Sequence, residues 1–241
     1  MNILVTGGTG TLGRPTVDLL RRAGHDVRVF SRSTGGDLTT GAGLPEALAG
    51  VATVVHLATS TGTKDVSQTQ RLVDAARNAG VSHLVYISIV GVDTVPYSYY
   101  RAKAASERVI EESGIPFTIL RATQFHEFIR MFLHLQRRLP VILSLDVPDQ
   151  PIAAAEVASR LAELVEAGPG GRVPDIGGPE QLQLREAIDT WQRAAGTRKP
   201  VWTVRPPLKF LRAMRAGEHM TPMPGYGRET FGEFALREAR R

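Results

Sequence analysis

The sequence predicts an α/β fold, a doubly wound parallel sheet covered by helices on both faces and completed by a small C-terminal lobe. Three observations predict it. Apolar runs of strand length alternate with helical patterns from the N-terminus to about residue 121. The first run, Ile3-Leu4-Val5-Thr6, passes directly into glycines spaced three apart, Gly7, Gly10 and Gly13, and then into an amphipathic segment. At 241 residues and 42% hydrophobic, the chain fills one compact core and is too short for a second full domain. The expected organisation is a single domain over 1–241, with a nucleotide-binding core over 1–124 and a mixed core and substrate-binding part over 125–241.

Strands are expected near 2–6, 27–31, 52–57, 83–89 and 116–121, each a short apolar run bounded by turn residues. Helices are expected near 12–23, 44–49, 66–79, 98–113 and 125–137. Gly24, Gly80 and Gly114 each follow the last periodic residue of a helix, as C-terminal capping requires. Between the second strand and the helix near 44 the chain offers only Ser33 to Gly41, too short and glycine-rich for a helix and a strand. A third edge strand is therefore expected to be shortened or absent. Beyond residue 121, Phe125, Phe128, Ile129, Phe132 and Leu133 fall on one helical face, either core or a wall over an apolar ligand. A loop from Pro140 to Pro151, a helix near 154–167 and a strand-like run from Arg172 to Ile176 follow. A helix near 184–195, a strand from Val201 to Val204 and helical segments near 207–216 and 228–239 complete the chain.

The glycine turn carries the strongest chemical signal. Gly7 permits a tight exit from the strand, Gly10 lets backbone approach a pyrophosphate, and Gly13 lets the next helix pack against the sheet. The turn residues Thr11 and Leu12 lead into that helix, whose free N–H groups attract phosphate. The second strand ends in Ser31-Arg32, where a site for the unphosphorylated cofactor presents a carboxylate to the ribose 2′-hydroxyl. A hydroxyl and a guanidinium suit a 2′-phosphate instead, and Arg14 is expected to add charge nearby, so NADP(H) is favoured over NAD(H).

The Gly-x-x-Gly-x-x-Gly spacing after Thr6 resembles the short-chain dehydrogenase/reductase superfamily in its extended and atypical branches. The likeness continues through Val54-Val55-His56-Leu57-Ala58, Leu84-Val85-Tyr86-Ile87-Ser88, Tyr99 with Lys103, and Phe117 to Thr123. Together these are similar to the NmrA-like, NAD(P)H-binding reductases, whose fold is Rossmann-like. The resemblance implies that Tyr99 exchanges a proton with the substrate oxygen while Lys103 hydrogen-bonds the nicotinamide ribose. It also implies that Asp37 and Leu38 lie beside the adenine. Ala58, Thr59 and Ser60, after the 52–57 strand, are expected on the cofactor's ribose and nicotinamide side.

Spacing alone puts Tyr99 and Lys103 on one helical face, where an ammonium favours the phenolate. Tyr100 is the alternative ring for the pocket. Ser88 either polarises a carbonyl beside Tyr99 or satisfies its own backbone. Thr123, Gln124, Phe125 and His126 follow the 116–121 strand, at the carboxyl edge where substrate is expected, and His126 is either a proton donor or packing.

Composition narrows the remaining classes. A net charge of +5 permits anion binding, but the basic residues form no stripe with interleaved aromatics, so nucleic acid is not expected. No apolar run reaches membrane-span length, no leader is expected before the first strand, and cysteine is absent, so a cytoplasmic location is expected. No metal-ligand pairing of histidines is present. The expectation is an NADPH-dependent oxidoreductase acting on a carbonyl, quinone or related conjugated small molecule, apolar or aromatic, as a monomer or weak homodimer. The alternatives are an epimerase, dehydratase or isomerase using bound NAD(P), and a non-catalytic, NmrA-like dinucleotide-sensing regulator.

Overall fold

The computed structural model describes residues 1–60 and 62–239. Its centre is a six-stranded parallel sheet in the order β2-β1-β3-β4-β5-β8. The strands are β1 (Asn2–Thr6), β2 (Asp26–Phe30), β3 (Thr53–His56), β4 (His83–Ile89), β5 (Phe117–Ala122) and β8 (Gly171–Arg172). Alternation along β1 sends Ile3 and Val5 to one face and Leu4 to the other, and each face buries its own cluster. The first face is covered by α1 (Gly13–Arg22) and α6 (Ala154–Ala167), which pack on each other. The second is covered by α2 (Leu44–Leu48), α3 (Thr63–Asn78) and α4 (Ser98–Glu111).

The edge beyond β2 agrees with the compressed spacing of the sequence. In place of a further strand, the chain makes a single 3₁₀ turn at Arg32–Thr34 and one isolated bridge between Asp37 and Ala42. Gly36 is pressed against the Phe30 ring, so the segment folds back over the end of β2.

At the opposite edge the expected strand from Arg172 to Ile176 is cut to Gly171–Arg172 and a lone bridge from Ala122 to Ile176. Pro174 lacks the N–H that a continuous ladder needs. The stretch read as a loop from Pro140 to Pro151 contains β6 (Ile142–Leu145) and β7 (Pro148–Asp149). Their partners, β10 (Val201–Val204) for β6 and β9 (Leu182–Gln183) for β7, lie far along the chain, which local pattern does not reveal.

The C-terminal lobe has its own core. Ile129 and Leu133 of α5 (His126–Leu135) pack with Ile142, with Ala187 and Ile188 of α7 (Leu184–Ala195), and with Phe231, Phe234 and Ala235 of α9 (Phe231–Glu238). The short α8 (Lys209–Arg215) sits apart, with Phe210 stacked on Tyr97 at 4.9 Å. No described helix is long and apolar enough to cross a membrane.

Candidate active site

A cleft of about 1470 Å³ runs along the carboxyl ends of the central strands, where open α/β sheets hold ligands. At its floor Gly7 has φ +69°, and a Cβ there would stand 2.6 Å from the Ala58 nitrogen. A Cβ on Gly13 would collide with the Gly7 carbonyl oxygen. The turn therefore holds the start of α1 hard against β1 and β3, and no side chain caps that start. Within the first turn Arg14 N donates to Gly10 O at 3.1 Å, Thr16 N donates to Leu12 O at 3.3 Å and Pro15 has no N–H, so the N–H of Gly13 at the helix start is the one left for an anionic ligand.

Gly7, Gly10, Thr11, Leu12 and Gly13 line the cleft, as do Ser31, Arg32, Asp37, Leu38, Ala58, Thr59 and Ser60. Ser31 Oγ is 2.9 Å from Ser33 Oγ, a hydroxyl pair beside the exposed Arg32. Asp37 is the one acid in this corner, and its Oδ1 accepts from Thr39 N at 2.7 Å.

Thr6, expected with the glycine turn among the cofactor contacts, and Arg14, expected to add charge near Ser31 and Arg32, both lie elsewhere. Thr6 is fully buried, with Oγ1 2.7 Å from His56 Nδ1 and accepting from Ala58 N at 3.3 Å. It braces the turn from beneath because the last residue of β1 points toward α3. Arg14 faces a second, smaller cleft with Glu127, Arg130 and Glu238, and its Nε donates to Thr9 O at 3.0 Å. One residue past Gly13, the helix turn has carried it away from Ser31 and Arg32.

At the other end of the cleft, Ser88, Tyr99, Tyr100 and Lys103 all line the wall. Ser88 Oγ is buried with no hydrogen-bond partner among the described residues. The reading in which this serine satisfies its own backbone is thereby corrected: the hydroxyl at the end of β4 bonds no backbone group among the described residues, and Ser88 lines the cleft. Tyr99 Oη lies 3.4 Å from Thr59 Oγ1, and burial pushes the phenol pKa up.

The expected ammonium effect on Tyr99 is therefore corrected too. Lys103, 3% exposed, donates from Nζ to Tyr86 Oη at 3.1 Å and to Ile87 O at 3.4 Å, and pairs with Asp65 Oδ2 at 3.8 Å. Asp65 offsets its charge. Burial lowers the Lys103 pKa, opposed by Asp65 and Glu107. Asp65, in the first turn of α3, also accepts from Ser60 N at 2.7 Å through Oδ1. One buried carboxylate thus ties the loop after β3 to the lysine of α4.

His56 extends this network. Its ring stacks on Tyr86 at 5.3 Å, and its Nε2 is 3.1 Å from Thr69 Oγ1. Burial, reinforced by Lys103 and opposed by Asp65, lowers its pKa to about 4. The ring is neutral near pH 7.

Beyond β5, Gln124 and Phe125 line the cleft and Thr123 joins them, its Oγ1 donating to Gln150 O at 2.5 Å. His126 does not. It is fully buried between Phe231 and Phe234, its Nε2 is 3.1 Å from Glu229 O, and burial lowers its pKa to about 4. It begins α5 on the side facing the C-terminal lobe, so it packs and does not meet substrate.

The aromatic face of α5 divides in the same way. Ile129, Phe132 and Leu133 enter the lobe core, while Phe125 and Phe128 face the cleft with Met131 and His134. Met131 was legible as an apolar residue one turn from Phe128. His219, which also lines the cleft, stands 120 residues from Tyr99 with no local motif to announce it.

Residues 33–167 match the model of a family described as NAD(P)H-binding. The chain is 31% identical over 212 residues, 80% of its length and 74% of the relative's, to the (4-alkanoyl-5-oxo-2,5-dihydrofuran-3-yl)methyl phosphate reductase of Streptomyces griseus. It is 28% identical over 218 residues, 80% of its length and 74% of the relative's, to the NAD(P)H azoreductase of Xenophilus azovorans. Among solved structures, the NADPH-dependent quinone oxidoreductase of Escherichia coli complexed with NADPH superposes with a TM-score of 0.79 at 20% identity, covering 98% of this chain and 99% of that one.

Proposed function

Because this chain belongs to the NAD(P)H-binding family and is an oxidoreductase of the atypical short-chain type, we propose that it uses NADPH to reduce a carbonyl, quinone or related conjugated small molecule. The observation that carries the reading is the cleft that brings Ser88, with its unpartnered Oγ, and Tyr99 together with the uncapped start of α1.

The residues fit a dinucleotide. The glycine turn excludes side chains where a pyrophosphate would approach. Ser31, Ser33 and Arg32 offer hydroxyls and a guanidinium at the far end of β2, suited to a 2′-phosphate. When bound, the nicotinamide supplies a hydride.

The chain's own residues do the rest. Ser88 Oγ donates to the substrate oxygen and fixes its orientation. Tyr99, kept neutral by burial, gives its proton to that oxygen. Thr59 is exposed and touches the phenol, so it links Tyr99 to solvent for proton return. Lys103 holds Tyr86 and the Ile87 carbonyl, keeping β4 and α4 in register under the reacting atoms. Phe125, Phe128 and Met131 make the apolar wall on which an aromatic acceptor lies.

Calorimetric titration with NADPH and NADH, on the wild type and Arg32→Ala, tests this. NADPH is expected to bind in the micromolar range and to weaken at least tenfold in the variant, about 1.4 kcal/mol. Stoichiometric NADPH consumption with menadione is expected, which separates reduction from an isomerisation that regenerates its cofactor. Absence of nucleotide binding would overturn the reading.

A further inference from the structure

His219 is 3% exposed yet lines the cleft, and its Nε2 lies 3.1 Å from Pro148 O. A carbonyl oxygen only accepts, so Nε2 carries the proton. Burial lowers the ring's pKa, opposed by that same hydrogen bond, which keeps the imidazole neutral near pH 7. Nδ1 is then a bare lone pair. It is buried and has no hydrogen-bond partner among the described residues.

The ring is held rather than free to turn away. A Cβ on Gly91 would stand 2.5 Å from Glu218 O and 3.1 Å from the His219 Cα, so residues 218–219 are seated directly on the loop between β4 and α4. On the other side Thr221 N donates to Gln150 Oε1 at 2.7 Å, and Gln150 Nε2 donates to Gly178 O at 3.0 Å. Asp149 approaches the opposite ring nitrogen, with Oδ1 4.0 Å from Nε2. The donor missing at Nδ1 is therefore not supplied by these neighbours. A buried acceptor without a donor is destabilising, and a site built around one discriminates strongly between ligands that do and do not supply the donor.

We propose that His219 Nδ1 is a specificity-determining acceptor, and that the substrate carries, apart from its reducible group, a neutral hydroxyl or N–H that donates to it. The proposal rests on the reductase reading and narrows its substrate class to donor-bearing aromatic or conjugated carbonyls. A carboxylate in that place would meet the lone pair and be rejected.

The test uses two probes, para-hydroxymethylbenzaldehyde and para-methoxymethylbenzaldehyde, which differ by a methyl cap on the donor. Their affinities are measured by calorimetry on protein saturated with NADP⁺. The hydroxymethyl compound is expected to bind at least about tenfold more tightly, the equivalent of about 1.4 kcal/mol. That ratio should fall to about one in His219→Leu and persist in His219→Asn, whose amide oxygen can take the place of Nδ1. Nitrogen NMR of the imidazole should show Nε2 protonated and Nδ1 bare, with the Nδ1 resonance moving on addition of the hydroxymethyl probe alone.

Equal affinities in the wild type, a ratio retained in His219→Leu, or a proton found on Nδ1 would each overturn the proposal. So would failure of both aldehydes to bind while NADPH binds, an outcome that leaves the reductase reading standing. Failure of NADPH itself removes both.

Discussion

Asp65 shows how much a single side chain can hold. Its carboxylate accepts from Ser60 N and faces the Lys103 ammonium, and both members of the pair are 3% exposed. Asp65→Asn keeps an oxygen for Ser60 N but removes the nearer counter-charge, leaving only Glu107 to offset the buried Lys103. A loss of about 3–5 kcal/mol in stability is expected by urea unfolding. An unchanged midpoint would show that Lys103 sheds its proton instead. Sequence spacing placed Tyr99 and Lys103 on one face, and both do line the cleft. It could not reveal Asp65 or Tyr86, which lie on other elements and capture the lysine through the fold. The same limit applies to His126, whose surroundings are supplied by α9, about a hundred residues later.

At the level of elements, α5 divides its labour between the lobe and the cleft. Phe128 is 47% exposed and Met131 50%, both on the cleft side, while Ile129 and Leu133 are buried. Phe128→Ala should leave thermal stability within about 0.5 kcal/mol of the wild type. Its KM for an apolar quinone should rise severalfold with little change in kcat, since an aromatic wall contributes binding present in ground and transition states alike. A fall in kcat at constant KM would place Phe128 at the reacting atoms instead. The helix itself was legible from its periodicity, but that periodicity makes one stripe of residues serving two surfaces. The segment after β2 was legible for the opposite reason. Too few residues separate Arg32 from Leu44 for a helix and a strand, and steric arithmetic sufficed.

For the molecule as a whole, acid should be more damaging than mild base. His56 and His126 have folded-state pKa values of about 4, against about 6.5 when unfolded. Both are neutral in either state above 6.5, so their full contribution is present there. It is lost as pH falls toward 4, where the unfolded chain binds the protons first. Asp149 acts in the other direction, its carboxyl pushed up to about 7 by burial, so its contribution is present in acid and lost as pH rises from about 4 to 7. From these three groups alone, two protons taken up against one released leave a net uptake of about one on unfolding, roughly 1.4 kcal/mol per pH unit between 6.5 and 4. Urea midpoints measured across that window should fall with acidity, and a flat profile would contradict the burial of the two imidazoles. The parallel core was readable because each of its strands is local in sequence. The pairings of β6 with β10 and of β7 with β9 join segments tens of residues apart, and no local pattern encodes such a partnership.

The position of His219 also bears on the order in which the chain leaves the ribosome. The glycine turn, Ser88, Tyr99 and Lys103 are all translated by residue 103, and the sheet is complete once Gly171–Arg172 has docked. The acceptor at His219 and the aromatic pair of α9 behind α5 come only afterwards. A nascent chain therefore carries the groups proposed for cofactor and proton transfer before the one proposed to select the substrate, and on that proposal mutations late in the reading frame retune selectivity while the earlier residues stay untouched.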